Sequence, residues 1–117
     1  MDKQIKKTSN INIKVGLDDQ NHPIDIQWMS DDNPNGNKYA EAKAMLLSFF
    51  DKEHLDTYKI DIWTPELQVV EMDRLIFQTL RALADTYQKA TRNNELANDM
   101  QKFVHYFGEE TEIIPKS

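Results

Sequence analysis

The most chemically suggestive stretch is Asp31-Asp32-Asn33-Pro34-Asn35-Gly36, where oxygen-bearing side chains recur at alternate positions ahead of a glycine. Calcium loops use that spacing because a hard cation takes six or more oxygens and the glycine permits the sharp bend. The second half departs from the pattern. The twelfth position, which needs a bidentate glutamate, is Ala42, with Glu41 one residue early, and the eighth is Lys38 where an apolar residue belongs. The stretch reads as a polar loop. His22, His54 and His105 have no ligand spacing between them and read as surface residues. Ser48 has no histidine–carboxylate frame near it in sequence, and Gly16, Gly36 and Gly108 are too scattered to cradle a phosphate. Asp85, Thr86 and Gln88, which fall on a helix, could line a polar groove with Asp61. Carboxylates on a solvated helix face are more often plain surface. The residues thus point to no catalytic group, no cofactor and no metal.

The totals narrow the classes further. A chain of 117 residues makes one domain, able to bury about two-thirds of its unfolded surface without a staple. Lysine and arginine number 14 against 20 acidic residues, for a net charge of −6, and the only basic cluster is Lys3, Lys6 and Lys7. Nucleic-acid binding needs basic side chains gathered on one face, so none is expected. The absence of cysteine removes disulfides, thiolate metal sites and cysteine nucleophiles together, and fits a reducing compartment. No apolar run follows the amino-terminal lysines, and none approaches the ~18 residues of a membrane span. A cytoplasmic protein without membrane insertion is the expectation.

The elements that would position any site follow from hydrophobic period. Residues 1–7 form a polar arm expected to be disordered, residues 8–108 the domain, and residues 109–117 an acidic tail with Ile113 and Ile114 tucked back. Ile11, Ile13, Val15 and Leu17 alternate with polar residues, as do Ile24, Ile26 and Trp28 after the Asp18–Pro23 turn cluster, which predicts an antiparallel hairpin. From Tyr39 the spacing of Ala42, Met45, Leu46, Phe49 and Phe50 fits a helix, with Asn35 or Asn37 as its cap. Tyr58, Ile60 and Ile62 then mark a third strand.

Val69 to Arg92 is the organising helix, beginning either at Thr64-Pro65 or nearer Val69. Its polar side chains crowd one sector. Val69, Met72, Leu75, Ile76, Leu80, Leu83, Ala84 and Tyr87 sweep the other, with Val70 and Phe77 at the margin. That apolar arc of roughly 220° exceeds the ~100° a helix needs to lie on one surface. It predicts two neighbours, a sheet and a second helix running from Leu96 to Phe107 and closed by Gly108. The predicted class is α+β, ordered ββαβαα. Its small three-stranded sheet has the order 2-1-3, with helices packed on one face.

If Ile60 and Ile62 face the core, Asp61 and Trp63 stand on the opposite sheet face, with Met29 there by the same parity. Tryptophan is enriched at binding hot spots, so Met29, Asp61 and Trp63 are candidate contact residues, joined by Asp85, Gln88 and Arg92 on the long helix. Trp63 folded over a strand end is the competing reading.

Several segments together resemble the gliding motility-associated protein C family (GldC) of Bacteroidetes. They are Glu41-Ala42-Lys43-Ala44-Met45-Leu46-Leu47-Ser48, Ile60-Asp61-Ile62-Trp63-Thr64, Gln78-Thr79-Leu80, Ala84-Asp85-Thr86-Tyr87-Gln88-Lys89-Ala90-Thr91 and Tyr106-Phe107, with the strand ending at Trp28. Their order and spacing carry the likeness, which runs from about Ile11 to Gly108. The resemblance implies a small cytoplasmic accessory of gliding motility with no established catalytic activity or cofactor. It brings a process and no active-site residue. The expected partners are other gliding-machinery proteins, or a second copy joined through an unpaired edge strand. The alternative is a small-molecule or metal-binding domain with a pocket between sheet and long helix.

Overall fold

The alternation at Ile11–Leu17 and Pro23–Ser30 does produce two strands, β1 and β2, paired antiparallel from Ile11 opposite Ser30 down to Leu17 opposite Pro23. The structure is a computed structural model and describes residues 3–32 and 38–116. Asp18 builds the turn between the strands: its Oδ1 accepts the backbone N–H of Gln20 at 2.8 Å and of His22 at 2.9 Å. Such short-range carboxylate bonds are why aspartate favours turns. Pro23 opens β2, a position where a missing ladder donor is tolerated.

The predicted helix between residues 39 and 50 is not formed. Its residues make two strands, β3 (Ala40–Ala42) and β4 (Ala44–Phe50), and the third expected strand becomes β5 (Thr57–Trp63). β3 pairs antiparallel with β2, and β4 pairs antiparallel with β5 from Ala44 opposite Trp63 to Phe50 opposite Thr57. With no helical crossover, the expected order 2-1-3 disappears. One sheet has the order β1-β2-β3 with β2 central, and β4-β5 forms a second sheet. The cause lies in the segment that follows Phe50. Asp51 Oδ2 accepts the N–H groups of Glu53 at 3.1 Å and His54 at 2.7 Å, and Leu55 takes a left-handed φ of 58°. Asp51 N–H then donates to the Asp56 carbonyl at 2.8 Å, closing a hairpin loop. A hairpin partner so near in sequence wins the apolar run Met45–Phe50 for the strand.

The Asp51 carboxylate is held below its ordinary value of 3.8, chiefly by the His54 backbone N–H and then by the His54 ring, with desolvation opposing and the Glu53 N–H adding least. A folded-state value below the unfolded one stabilises above the unfolded value and is lost as pH falls through the folded one. Asp51→Asn is therefore expected to lower the thermal midpoint at pH about 7. The gap from the parent should close as pH drops below about 3.9, and a gap constant with pH would refute the assignment.

Contacts cluster into two compact units, Met1–Leu67 and Gln68–Ser117. The second holds α1 (Val69–Thr91) and α2 (Asn94–Glu110). The long helix starts at Val69, not at Thr64, because Gln68 N–H donates to Glu71 Oε1 at 3.0 Å and fixes the first turn. It ends where Arg92 enters the left-handed region at φ 61°, its N–H donating to the Gln88 carbonyl at 2.8 Å. Asn93 then caps α2 by accepting Leu96 N–H at 3.1 Å.

Phe77 and Ala84 on α1, and Ala97, Val104 and Gly108 on α2, are the buried residues of this helix pair. Phe77, expected at the margin of the apolar arc, is its most buried large side chain, while Leu83 is left 52% exposed. Gly108 does not close α2, which runs on to Glu110. It sits inside the helix because a Cβ there would lie 2.6 Å from Phe77 Cε1 and 2.9 Å from Ile114 Cγ1. The tail does fold back, with Ile113 and Ile114 N–H groups both donating to the Gly108 carbonyl at 2.9 and 3.1 Å.

Candidate protein-contact surface

In an antiparallel pair, residues directly opposite share a face. On β4-β5 this places Met45 with Ile62, Leu47 with Ile60 and Phe49 with Tyr58 on one side. Ala44 with Trp63, Leu46 with Asp61, Ser48 with Lys59 and Phe50 with Thr57 occupy the other. The second face is mixed. Lys59 Nζ donates to Ser48 Oγ at 2.8 Å and lies 3.5 Å from Asp61 Oδ1, an ion pair open to solvent and of small energetic weight. Trp63 stands at the end of this face, 54% exposed. Asp61 and Trp63 therefore do share a face, as parity required.

The other expected contact residues are placed elsewhere. Met29 lies on β2 opposite Asn12, in the three-stranded sheet and not in the sheet that carries Trp63. Asp85, Gln88 and Arg92 lie on or just beyond α1 and serve the helix pair. Gln101 Nε2 donates to Asp85 Oδ1 at 3.2 Å, and Gln88 Nε2 donates to Asn94 Oδ1 at 2.7 Å. Arg92 supplies the left-handed residue that turns the chain.

Sequence reasoning missed the apolar face. The spacing of Phe49 and Phe50 fits one face of a helix, yet both stand on strand β4, where Phe49 is as exposed as Tyr58 at 56%, and Ile60 is 48% exposed. The signal was present as Met45, Leu47 and Phe49 alternating, then Tyr58, Ile60 and Ile62 alternating after a short polar turn. Ile11, Ile13, Ile26 and Trp28 from β1 and β2 line an apolar groove of about 280 Å³ with Ala42, Ala44, Met45 and Leu46, so both faces of β4 contribute to it.

Among the described residues the histidines meet carboxylates only in local pairs. His22 lies 3.6 Å from Asp18, His54 2.9 Å from Asp51 and His105 3.5 Å from Glu109, each pair local in sequence. Among the described residues no three potential metal ligands converge. Most of the calcium-like stretch lies outside the described residues. Its first two aspartates engage the chain before β1: Asp31 Oδ2 accepts Asn10 N–H at 2.9 Å and Asp32 Oδ2 accepts the Ser9 hydroxyl at 2.9 Å. No helix in the described residues is long and apolar enough to cross a membrane.

No curated protein and no solved structure gives a significant match to the chain. A family model does, that of the gliding motility-associated protein GldC-like family, over residues 23–113. The match takes in β2 through α2 and so includes both hairpin faces and the helix pair. By that match over most of its length, the chain belongs to the GldC-like family of gliding motility-associated proteins.

Proposed function

We propose that this protein is a non-enzymatic cytoplasmic accessory of the gliding machinery that works by holding other proteins. Family membership supplies the process. The observation that supports contact as the means is the amount of apolar and aromatic surface the β4-β5 hairpin leaves open, with Phe49, Tyr58, Ile60 and Trp63 each about half exposed. Contiguous exposed apolar surface on a soluble domain commonly marks an interaction site. The mixed face, with Trp63 at its end and the Lys59–Asp61 pair beside it, has the make-up of a hot spot with a polar rim, and it is the face proposed for other components of the machinery.

Trp63→Ala tests this reading. The side chain is half in solvent, so its truncation is expected to move the thermal midpoint by no more than about 2–4 °C, a shift that corresponds to about 1 kcal/mol or less in a chain of this size. Recovery of motility components with the tagged protein from its own cells should fall at least tenfold. A large drop in thermal stability with unchanged recovery would make Trp63 a packing residue and remove the proposed face.

A further inference from the structure

We propose that the acidic cavity bounded by Asp25, Glu41, Thr64 and Glu66 binds a guanidinium group. The cavity measures about 280 Å³ and its walls belong entirely to the first unit. The inference stands whether or not the Trp63 face binds motility components.

The carboxylates come from separate stretches of chain. Asp25 is on β2, Glu41 on β3 and Glu66 in the turn after β5. Glu41 pairs with Gln27, two residues from Asp25, so Glu41 and Asp25 share a sheet face. Asp25 Oδ2 accepts Gln27 Nε2 at 3.1 Å, while among the described residues the side chains of Glu41 and Glu66 have no hydrogen bond or ion pair. Against these acids the wall carries Lys43, which has an interaction of its own. A cleft lined mainly by one sign of charge concentrates ligands of the other.

Thr64 supplies an independent observation. Its N–H donates to the Lys43 carbonyl at 2.9 Å, which pins it at the cavity wall where β3 passes into β4. Thr64 is 3% exposed, and among the described residues its Oγ1 has no hydrogen-bond partner. Nearly all buried polar atoms have one, and leaving a hydroxyl without it is costly. Thr64 also borders the groove beside Trp63, but that groove is walled mainly by Pro23, Ile62, Trp63 and Pro65. A ligand rich in donors is held on the carboxylate side, where one of its N–H groups can serve the hydroxyl.

The shape of the site selects the cation. The carboxylates line one cavity without converging as metal ligands do, so the cation must reach several acceptors at once. Guanidinium is planar, carries its N–H donors in a fixed fork and is less strongly hydrated than an ammonium. Its bonds to carboxylates are charge-assisted, and a remaining N–H can donate to Thr64 Oγ1. The cavity is smaller than the roughly 300–1,000 Å³ of pockets for drug-sized ligands, which suits a side chain or small cation better than a nucleotide.

An arginine side chain of a protein and a free guanidinium compound share this chemistry, and two probes separate them. Amide shifts of the isotope-labelled full chain are followed on adding N-acetyl-arginine amide or, separately, a pentapeptide with arginine between glycines. The amides of Asp25, Lys43 and Thr64 are expected to move, with a Kd of about 1 mM or tighter. Binding of N-acetyl-lysine amide should be weaker by roughly fivefold or more. A peptide that binds more tightly than the arginine amide assigns the site to a protein segment; equal or weaker peptide binding assigns it to a free small molecule. Glu41→Gln combined with Glu66→Gln is expected to weaken binding by about tenfold, while Glu53→Gln, in the loop at the far end of β4-β5, leaves it unchanged. Thr64→Val keeps the shape and removes the hydroxyl. It should weaken binding by about threefold with a thermal midpoint equal to or above the parent's, a combination that a purely structural threonine does not give. No saturable shift up to about 20 mM of the arginine amide, equal binding of lysine and arginine, or parent affinity in either the double glutamate variant or Thr64→Val overturns the inference.

Discussion

Phe77→Ala is expected to lower the unfolding free energy by about 3–5 kcal/mol, read as a fall in the urea midpoint with little change of slope. The ring is 6% exposed and lies where α1 crosses the end of α2, with its Cε1 against the backbone at Gly108. The Arg81 guanidinium covers another side at 5.5 Å from the ring centroid. Truncation leaves a void between two helices whose spacing is fixed near the turn by Ala84 and Ala97, both buried and both small. Such a pair of backbones has little freedom to close on the gap, which puts the effect at the upper end for a core phenylalanine. Against a total stability of about 5–15 kcal/mol, that loss is a large fraction of the whole.

Gly108→Ala should expose the same contact from the other helix. A helix interior gains about 1 kcal/mol when glycine becomes alanine, but the added Cβ would meet Phe77 Cε1 at 2.6 Å and the Ile114 side chain at 2.9 Å. Overpacking of that kind costs about 1–3 kcal/mol, so the substitution destabilises the parent chain. In a Phe77→Ala background the first clash is gone and only the contact with Ile114 remains, so the same change should cost less than in the parent chain. The coupling between the two sites is the measured quantity; additive effects would place the Phe77 ring elsewhere.

What the sequence revealed, and what it hid, follows from how many structures each pattern fits. Ile11 to Trp28 alternates apolar and polar residues around a turn rich in aspartate and asparagine, a pattern only a hairpin satisfies. Val69 to Thr91 runs for 23 residues, long enough for a 3.6-residue period to be unmistakable. Residues 39–50 are ambiguous, since Ala44, Met45, Leu46, Leu47, Phe49 and Phe50 are apolar almost without interruption. A subset of them fits helical spacing and another subset fits alternation. A short apolar run carries no period of its own, and its state is set by the nearest partner. That partner is Thr57–Trp63, separated from Phe50 by six residues and held there by the Asp51 loop, a tertiary fact with only a faint local signature.

The same ambiguity decided how much of the contact surface was legible. Parity within one strand placed Asp61 and Trp63 together correctly, because alternation is a local property. Extending it to Met29 required knowing which strands share a sheet, and the misread helix supplied the wrong answer. Gln88 and Asp85 illustrate another limit. On a helical wheel they look solvated, yet each bonds to a side chain of α2, a pairing visible only once the Arg92 turn has folded the helices together.

Ile26→Ala is expected to be the most damaging single truncation in the first unit, at about 2–5 kcal/mol. Ile26 is 1% exposed and is the only buried apolar side chain among that unit's described residues. It sits on the central strand, opposite Val15 of β1 and Ala42 of β3, so its side chain joins all three strands and forms the floor of the apolar groove. Both ladders fix the backbone on either side, and a small residue already stands at Ala42, so the site has little with which to fill a void. Ile26→Val, which removes one methylene, should lose only about 0.5–1.5 kcal/mol. Ile24→Ala, two residues away on the same strand and 50% exposed, should lose less than Ile26→Ala by at least about 1 kcal/mol. Denaturant midpoints for the three variants, with amide exchange followed in β1–β3, would test this ranking. Equal losses at Ile24 and Ile26 would mean that the strands are held by their ladders alone, with no side-chain anchor between them.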